Sequence, residues 1–163
     1  MEDDWREVSA LLTGKVDLEI TGGHGEIKAK SVADCYFRNG SFYLLFQENI
    51  PEDGKEGRLN FSSRLKISRD RVSLKRNLVE RGGKAAGHSM EMIYELREEG
   101  ERGSLIDYPS PYGILKLEIQ TKGMDIRVLE DQLIAEIDYL LIQEGQEAGT
   151  DRLKIKVGKS GKN

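Results

Sequence analysis

The sequence predicts an all-β protein: an antiparallel up-and-down β-barrel of about 8–10 strands, with a short N-terminal helix closing one end. Three observations predict this fold class. Apolar and polar residues alternate with period two along most of the chain, so that each strand has one dry and one wet face. Turn signals separate these segments at short intervals. A meander of about ten strands removes its exposed edges by closing on itself.

The N-terminal segment, residues 1–13, departs from the alternation. Trp5, Val8, Leu11 and Leu12 recur at helical spacing. Asp4 followed three residues later by Glu7 is typical of a capping box at a helix start. The segment therefore predicts a short helix over one end of the barrel, and a frayed arm or an additional strand is the alternative.

The alternating segments follow one another through the rest of the chain. In order they are residues 16–20, 35–37, 42–46, 65–67, 72–74, 90–94, 115–119, 133–139 and 153–157. Because side chains alternate between the two faces of a strand, the apolar members of each segment are expected to face the barrel interior.

Turn residues divide these strands. Asn39-Gly40 fits a two-residue type I′ hairpin, which needs positive φ at both positions and would pair Phe37 with Phe42. Gly-rich residues 22–25 precede a strand and are typical of a turn, not of a phosphate-binding loop. The remaining turns are predicted at residues 68–71, 97–103, 122–123 and 130–131.

Length and composition indicate one domain over residues 1–163, with residues 158–163 as a frayed tail. The formal net charge of -4 gives no strong field for steering nucleic acid. Cys35, the single cysteine, cannot form an internal disulfide, and the acidic N-terminus does not resemble a signal peptide. No apolar run has the length of a membrane span. A cytoplasmic location is therefore expected, without a membrane partner.

Several stretches together are similar to one known family. Residues 108–113, Tyr-Pro-Ser-Pro-Tyr-Gly, resemble the Tyr-x-Thr-Pro-Tyr-Gly stretch of the YwiB-like family, small bacterial proteins described only as a domain of unknown function. Residues 39–48, 65–76 and 153–157 agree in order and spacing, so that the resemblance covers roughly residues 14–157. It implies a calycin (lipocalin-like) barrel of eight to ten strands and no assigned activity. Ser110, Gln47 and the added residues 1–13 depart from the family pattern.

The same alternation places a few polar side chains on the dry faces. They are predicted to point inward or to line a barrel mouth, and they form the candidate ligand-binding set: Arg76, Glu48, His88, Tyr94 and Tyr139. An inward arginine needs a partner. One interpretation is an Arg76–Glu48 ion pair completed by tyrosine hydroxyls. The other is a guanidinium that holds a carboxylate or phosphate inside the barrel.

The hairpin of residues 58–76 carries seven basic side chains against one acid, Asp70. Four of them share its wet face, here called the basic face: Arg64, Lys66, Arg71 and Lys75. This face could contact phosphates, but no aromatic residue is expected to interleave on it for base stacking, which argues against a nucleic-acid partner. The acidic residues of 91–101 and 125–138 could neutralise it from neighbouring strands.

No catalytic, metal or cofactor constellation is visible. His24, His88 and Cys35 lack ligand spacing, and no base accompanies Ser110, so neither an enzyme nor a bound cofactor is expected. The leading hypothesis is a barrel that binds a small hydrophobic or anionic ligand in its interior. The alternative is a non-enzymatic protein- or RNA-interaction module that uses the basic face. Both hypotheses allow the protein to form a homodimer.

Overall fold

A computed structural model describes residues 2–22, 27–51, 58–81, 84–85, 89–98, 100–110 and 113–160. Within these residues, one helix precedes eleven strands, and the predicted all-β class is confirmed. The elements are α1 (Glu2–Leu12), β1 (Gly14–Gly22), β2 (Ile27–Arg38), β3 (Ser41–Pro51), β4 (Arg58–Ile67), β5 (Arg71–Arg81), β6 (Lys84–Ala85), β7 (Ser89–Glu95), β8 (Ser104–Ser110), β9 (Gly113–Leu129), β10 (Gln132–Gln143) and β11 (Gln146–Lys159).

All eleven described strands belong to one antiparallel sheet, and from β1 to β6 and from β8 to β11 each strand pairs with the next along the chain. β1 also pairs with β11, which joins the first strand to the last. β6 and β7 both pair with β5 on the side away from β4, so they act as two pieces of one barrel strand. The sheet therefore has ten positions and the up-and-down order that the alternation predicted.

The sheet returns on itself where β7 meets β8 and β9. Leu96, just after β7, forms an isolated parallel bridge with Thr121 of β9. The backbone N–H of Glu95 donates to the Thr121 hydroxyl at 3.1 Å. Few backbone hydrogen bonds join the described residues at this seam, so the barrel is nearly closed and is weakest here.

The hairpin turns follow the local sequence. Asn39 and Gly40 have φ of 52° and 79°, which confirms the type I′ turn, and the rings of Phe37 and Phe42 lie 4.8 Å apart. The turn at residues 68–71 is closed by the N–H of Ser68 donating to the Arg71 carbonyl at 2.8 Å. Residues 130–131 connect β9 to β10 as predicted.

The turn predicted at Lys122-Gly123 is wrong, because β9 continues without interruption from Gly113 to Leu129. Tyr139 pairs with Thr121 and Asp138 pairs with Gly123, so Lys122 is an extra residue without a partner on β10. This is a β-bulge, which uses the same residue types as a turn but bends the strand instead of ending it.

Helix α1 lies over the barrel end that holds the 39–40 and 68–70 turns, which confirms the predicted helix. Trp5, Val8 and Leu12 are buried, and the Trp5 ring lies 5.1 Å from that of Phe42. Two details of the prediction are wrong. Leu11 is 45% exposed, and Asp4 is not the cap because the helix already begins at Glu2.

The C-terminal tail begins later in the chain than the sequence predicts. β11 includes Gly158 and Lys159, and Lys159 pairs with Val16 of β1. Residues 161–163 lie outside the described residues. In the part of the chain that the structure covers, no helix has both the length and the apolar character needed to span a membrane.

The inward side chains form one hydrophobic cluster that runs from α1 through the barrel. Phe42, Leu44, Leu65, Val72 and Ile137 have essentially no exposed surface. The facing that the alternation predicted for these strands is therefore confirmed. It also fixes which polar residues lie inside the barrel and which lie on its outer face.

Candidate functional site

The interior contains an ion pair between Arg76 of β5 and Glu48 of β3. The guanidinium donates from Nε to Glu48 Oε1 at 2.8 Å and from NH2 to Oε2 at 3.0 Å. The Ser63 hydroxyl, on β4 between them, donates to the same Oε1 at 2.6 Å. The Glu48 side chain is 3% exposed and that of Arg76 is 21% exposed. The predicted pair is confirmed, with a serine in the place expected for tyrosine hydroxyls.

Tyr94 and Tyr139 lie next to each other in the barrel, with ring centroids 5.3 Å apart in an edge-on arrangement. The Tyr94 hydroxyl lies 3.9 Å from the sulfur of Met92. Burial raises the pKa of both phenols above the ordinary value, that of Tyr139 to about 12. His88, the fifth member of the candidate set, lies outside the described residues.

The pairing geometry leaves one edge of the Arg76 guanidinium unused by Glu48. Glu48 occupies the side formed by Nε and NH2, whereas the end formed by NH1 and NH2 has further donors. No buried polar side-chain atom in the described residues lacks a hydrogen-bond partner. Among the described residues, the fully buried polar atoms are therefore satisfied by the protein itself.

The outer surface of β4 and β5 holds the basic face. Arg64 lies directly opposite Lys75, and Lys66 lies opposite Ser73, so three of the four cations occupy adjacent positions. Arg71 follows at the end next to the 68–70 turn. The prediction that these four side chains share one outer face is confirmed by the inward burial of Leu65, Ile67, Val72 and Leu74.

Acidic residues neutralise this face only in part. Arg71 lies 3.8 Å from Glu95 of β7, and Glu91 pairs with Lys75 across the strands. Among the described residues, Arg64, Lys66 and Lys75 form no salt bridge within 4.0 Å. The acids predicted to neutralise this face from residues 91–101 therefore form one salt bridge, at Arg71, and place a second carboxylate, Glu91, beside Lys75.

A shallow depression of about 340 Å³ opens on the same face. Its lining is polar apart from one ring: Tyr43, Arg64, Lys66, Arg71, Ser73 and Glu91. A second depression of about 190 Å³ adjoins it between Leu45 and Asn77. Both lie outside the barrel, so the concave surface that these residues form faces solvent and not the core.

The sequence interpretation missed two aromatic residues beside the basic face. Tyr36 and Tyr43 pair across β2 and β3 on the outer surface, with rings stacked at 5.0 Å and 7°. The Lys66 ammonium lies 5.3 Å from the Tyr43 ring centroid. The signal was present, because Phe37 and Phe42 face inward around the Asn39-Gly40 turn and their neighbours must face outward. The expectation of a face without nearby aromatic residues is wrong.

The outer face of β9 to β11 differs from the basic face in the carboxylate partners of its arginines. Arg127 donates to Asp125 and to Glu136 at 2.7 Å each, and Arg152 donates to Asp138 at 2.7 Å. These cations therefore have carboxylate partners, unlike Arg64, Lys66 and Lys75. Among the described residues, salt bridges therefore hold these arginines of β9 and β11, whereas on the basic face only Arg71 forms one.

The described part of the chain holds no group of side chains arranged for metal binding or nucleophilic catalysis. No group of three or more histidine, cysteine, aspartate or glutamate side chains there could hold a metal ion. Cys35 is buried, and burial raises the pKa of its thiol to about 11, which disfavours the reactive thiolate.

Comparison with known proteins gives a family and a fold. The model of a family described as "Domain of unknown function (DUF1934)" matches residues 13–155. The crystal structure of ywiB protein from Bacillus subtilis is similar, with a TM-score of 0.56 and 14% sequence identity over 90% of this chain and 91% of that chain. At that identity, the likeness is evidence for the fold alone. No curated protein matches the chain.

Proposed function

The chain belongs to the DUF1934 family, whose description names no activity, and from this premise we propose that it is a non-catalytic binding protein. The resemblance to the YwiB-like family that the sequence indicated is confirmed. In this proposal, the basic face of β4 and β5 holds an anionic partner.

One observation carries the proposal: three cations that form no salt bridge among the described residues line two adjoining depressions. Arg64 and Lys66 line the depression of about 340 Å³, which Glu91 also lines. Arg64 and Lys75 line the adjoining depression of about 190 Å³. A guanidinium and two ammonium groups attract carboxylate or phosphate oxygens, and arginine can bind them through two parallel hydrogen bonds. The absence of a catalytic constellation in the described residues is compatible with a binding role.

The test compares two fourfold variants that lose the same charge. R64Q/K66Q/R71Q/K75Q neutralises the basic face, whereas K116Q/K122Q/K154Q/K156Q neutralises four lysines on β9 and β11. Inorganic polyphosphate of about twelve phosphates is titrated into each protein by calorimetry at low salt. We expect binding to wild type and to the control, and its loss in the basic-face variant. Equal binding by all three proteins, or none by wild type, would contradict the proposal.

A second candidate is a small hydrophobic or anionic ligand inside the barrel, and the Nη1–Nη2 end of Arg76, which Glu48 does not use, favours it. Arg76 is 21% exposed, and partly buried Met90, Met92 and Tyr139 lie with it in the interior. It ranks second because Glu48 already balances the charge of Arg76.

Native mass spectrometry of the protein as purified tests this second candidate. A mass exceeding that of the chain by a discrete small molecule, lost in R76M, would support an interior ligand. The same spectrum reports whether the protein is a homodimer, the partner state that we also propose. We also propose a cytoplasmic location, and the buried free thiol of Cys35 is compatible with it.

A further inference from the structure

Two outward-facing tyrosines, Tyr36 on β2 and Tyr43 on β3, lie beside the basic face and continue it onto these two strands. Tyr36 is 40% exposed, and its ring is stacked on that of Tyr43. Tyr43 is in turn flanked by Lys66 on the neighbouring strand, 5.3 Å from its centroid. The Tyr43 ring is contacted by the Tyr36 ring and by the Lys66 ammonium, whereas part of the Tyr36 ring is exposed to solvent.

The strand register arranges these residues in two parallel rows. Tyr36, Tyr43, Lys66 and Ser73 succeed one another across β2, β3, β4 and β5. The adjacent row has two cations in its middle and a carboxylate at each end: Asp34, Leu45, Arg64, Lys75 and Glu91. With neighbouring strands about 4.8 Å apart, four strands span about 14 Å. Aromatic surface and cationic charge therefore lie side by side along one continuous strip.

We infer that this strip binds single-stranded nucleic acid, with a base against the exposed tyrosine surface and phosphates along Lys66, Arg64 and Lys75. Aromatic side chains beside a basic groove are the combination that single-strand binding requires, because every base has a face to stack and every nucleotide a phosphate. The inference rests on the proposed function and names its anionic partner. It also replaces the expectation that no aromatic residue lies on the basic face for base stacking.

A second copy of this chain fits the strip less well. The opposite outer face would offer a second copy the carboxylates of Asp125, Glu136 and Asp138, and these three are already bonded to Arg127 and Arg152. Hydroxyl-bearing rings and a polar depression also suit a ligand that combines rings with phosphates.

The experiment separates stacking from charge. Binding of a fluorescein-labelled twelve-nucleotide single-stranded RNA is measured by anisotropy, and polyphosphate of equal charge and an acidic peptide of twelve glutamates serve as competitors. Y36L/Y43L removes the rings but keeps apolar β-formers, and R64Q/K66Q/R71Q/K75Q removes the charge. Thermal melting confirms that each variant is folded. L105T/I114T, which removes two exposed apolar side chains from β8 and β9, is the matched control.

We expect Y36L/Y43L to weaken RNA binding about 5- to 150-fold, the range for loss of stacking on one base, and to leave polyphosphate binding unchanged. Each basic-face cation removed should lower the slope of log affinity against log salt by about 0.7. L105T/I114T should bind RNA as wild type does.

Three outcomes overturn the inference. Equal affinity for RNA and polyphosphate with no effect of Y36L/Y43L would refute nucleic-acid binding but leave an anion-binding face intact. Tighter binding of the acidic peptide would indicate a protein partner on the same face. Failure of wild type to bind RNA, polyphosphate and peptide would remove both the inference and the proposed function.

Discussion

At the scale of single residues, Glu48 is the most deeply buried carboxylate among the described residues. It is 3% exposed and receives three hydrogen bonds, two from Arg76 and one from Ser63. A buried ion pair contributes little net stability, because desolvation offsets attraction, but the removal of one partner leaves an uncompensated charge. The pair therefore matters most when it is broken.

R76L should lower the free energy of unfolding by about 3 kcal/mol, because Glu48 loses its cation in an apolar interior. E48L should cost less, since Arg76 is 21% exposed and can turn toward solvent. Urea denaturation at pH 7 measures both changes. The double variant R76L/E48L should recover most of the stability. A double variant as unstable as R76L alone would contradict the described burial.

At the scale of elements, α1 and the strand ends beneath it form the best-packed contact outside the sheet. Trp5, the single tryptophan of the chain, is 5% exposed, packs on Phe42 and has the Arg69 guanidinium 4.7 Å above its ring. The helix thus contributes a large apolar side chain to the core at a barrel end that would otherwise expose Phe42.

W5A should destabilise the protein by about 3–5 kcal/mol, the range for truncation of a buried large aromatic residue. Wild type should also show blue-shifted tryptophan emission that moves to the red on unfolding, and the shift reports docking of the helix. L11A is the control, because Leu11 is 45% exposed and its loss should cost well under 1 kcal/mol. Equal effects of W5A and L11A would show that the helix does not pack as described.

At the scale of the whole molecule, charge is distributed unevenly around the barrel. The net charge of -4 gives little long-range attraction for an anionic partner, so the basic face must act at close range. On the opposite side, hydrogen bonds from Arg127 and Arg152 hold the pKa values of Glu136 and Asp138 below their ordinary values. Gln120 does the same for Glu118.

These depressed pKa values set the response to acid. A carboxyl group with a lower pKa in the folded state contributes stability above its ordinary value, near 4, and loses it as pH falls through the folded value. Stability should therefore decline below about pH 4.5. Urea midpoints from pH 7 to pH 3 measure the decline. R127Q/R152Q should lower stability at pH 7 and flatten the acid slope, and an unchanged slope would contradict the assignment.

Much of the candidate site could be predicted from the sequence, because facing in a strand is a local property. Period-two alternation was sufficient to place Arg76 and Glu48 inside and Arg64 and Lys75 outside. The Asn39-Gly40 turn also follows from its own two residues, since positive φ is tolerated there. His88 stays a prediction, because it lies outside the described residues.

The sequence by itself thus determined the fold class, the helix and the facing of the polar residues, each of which depends on neighbours a few positions apart. Only the tertiary structure decided the rest. It made Lys122 a bulge, brought Tyr43 beside Lys66, gave Glu48 a serine partner and closed the barrel at Leu96 and Thr121. These features depend on strand register and strand order. Both are set by packing between residues far apart in the chain, which alternation within one strand does not specify.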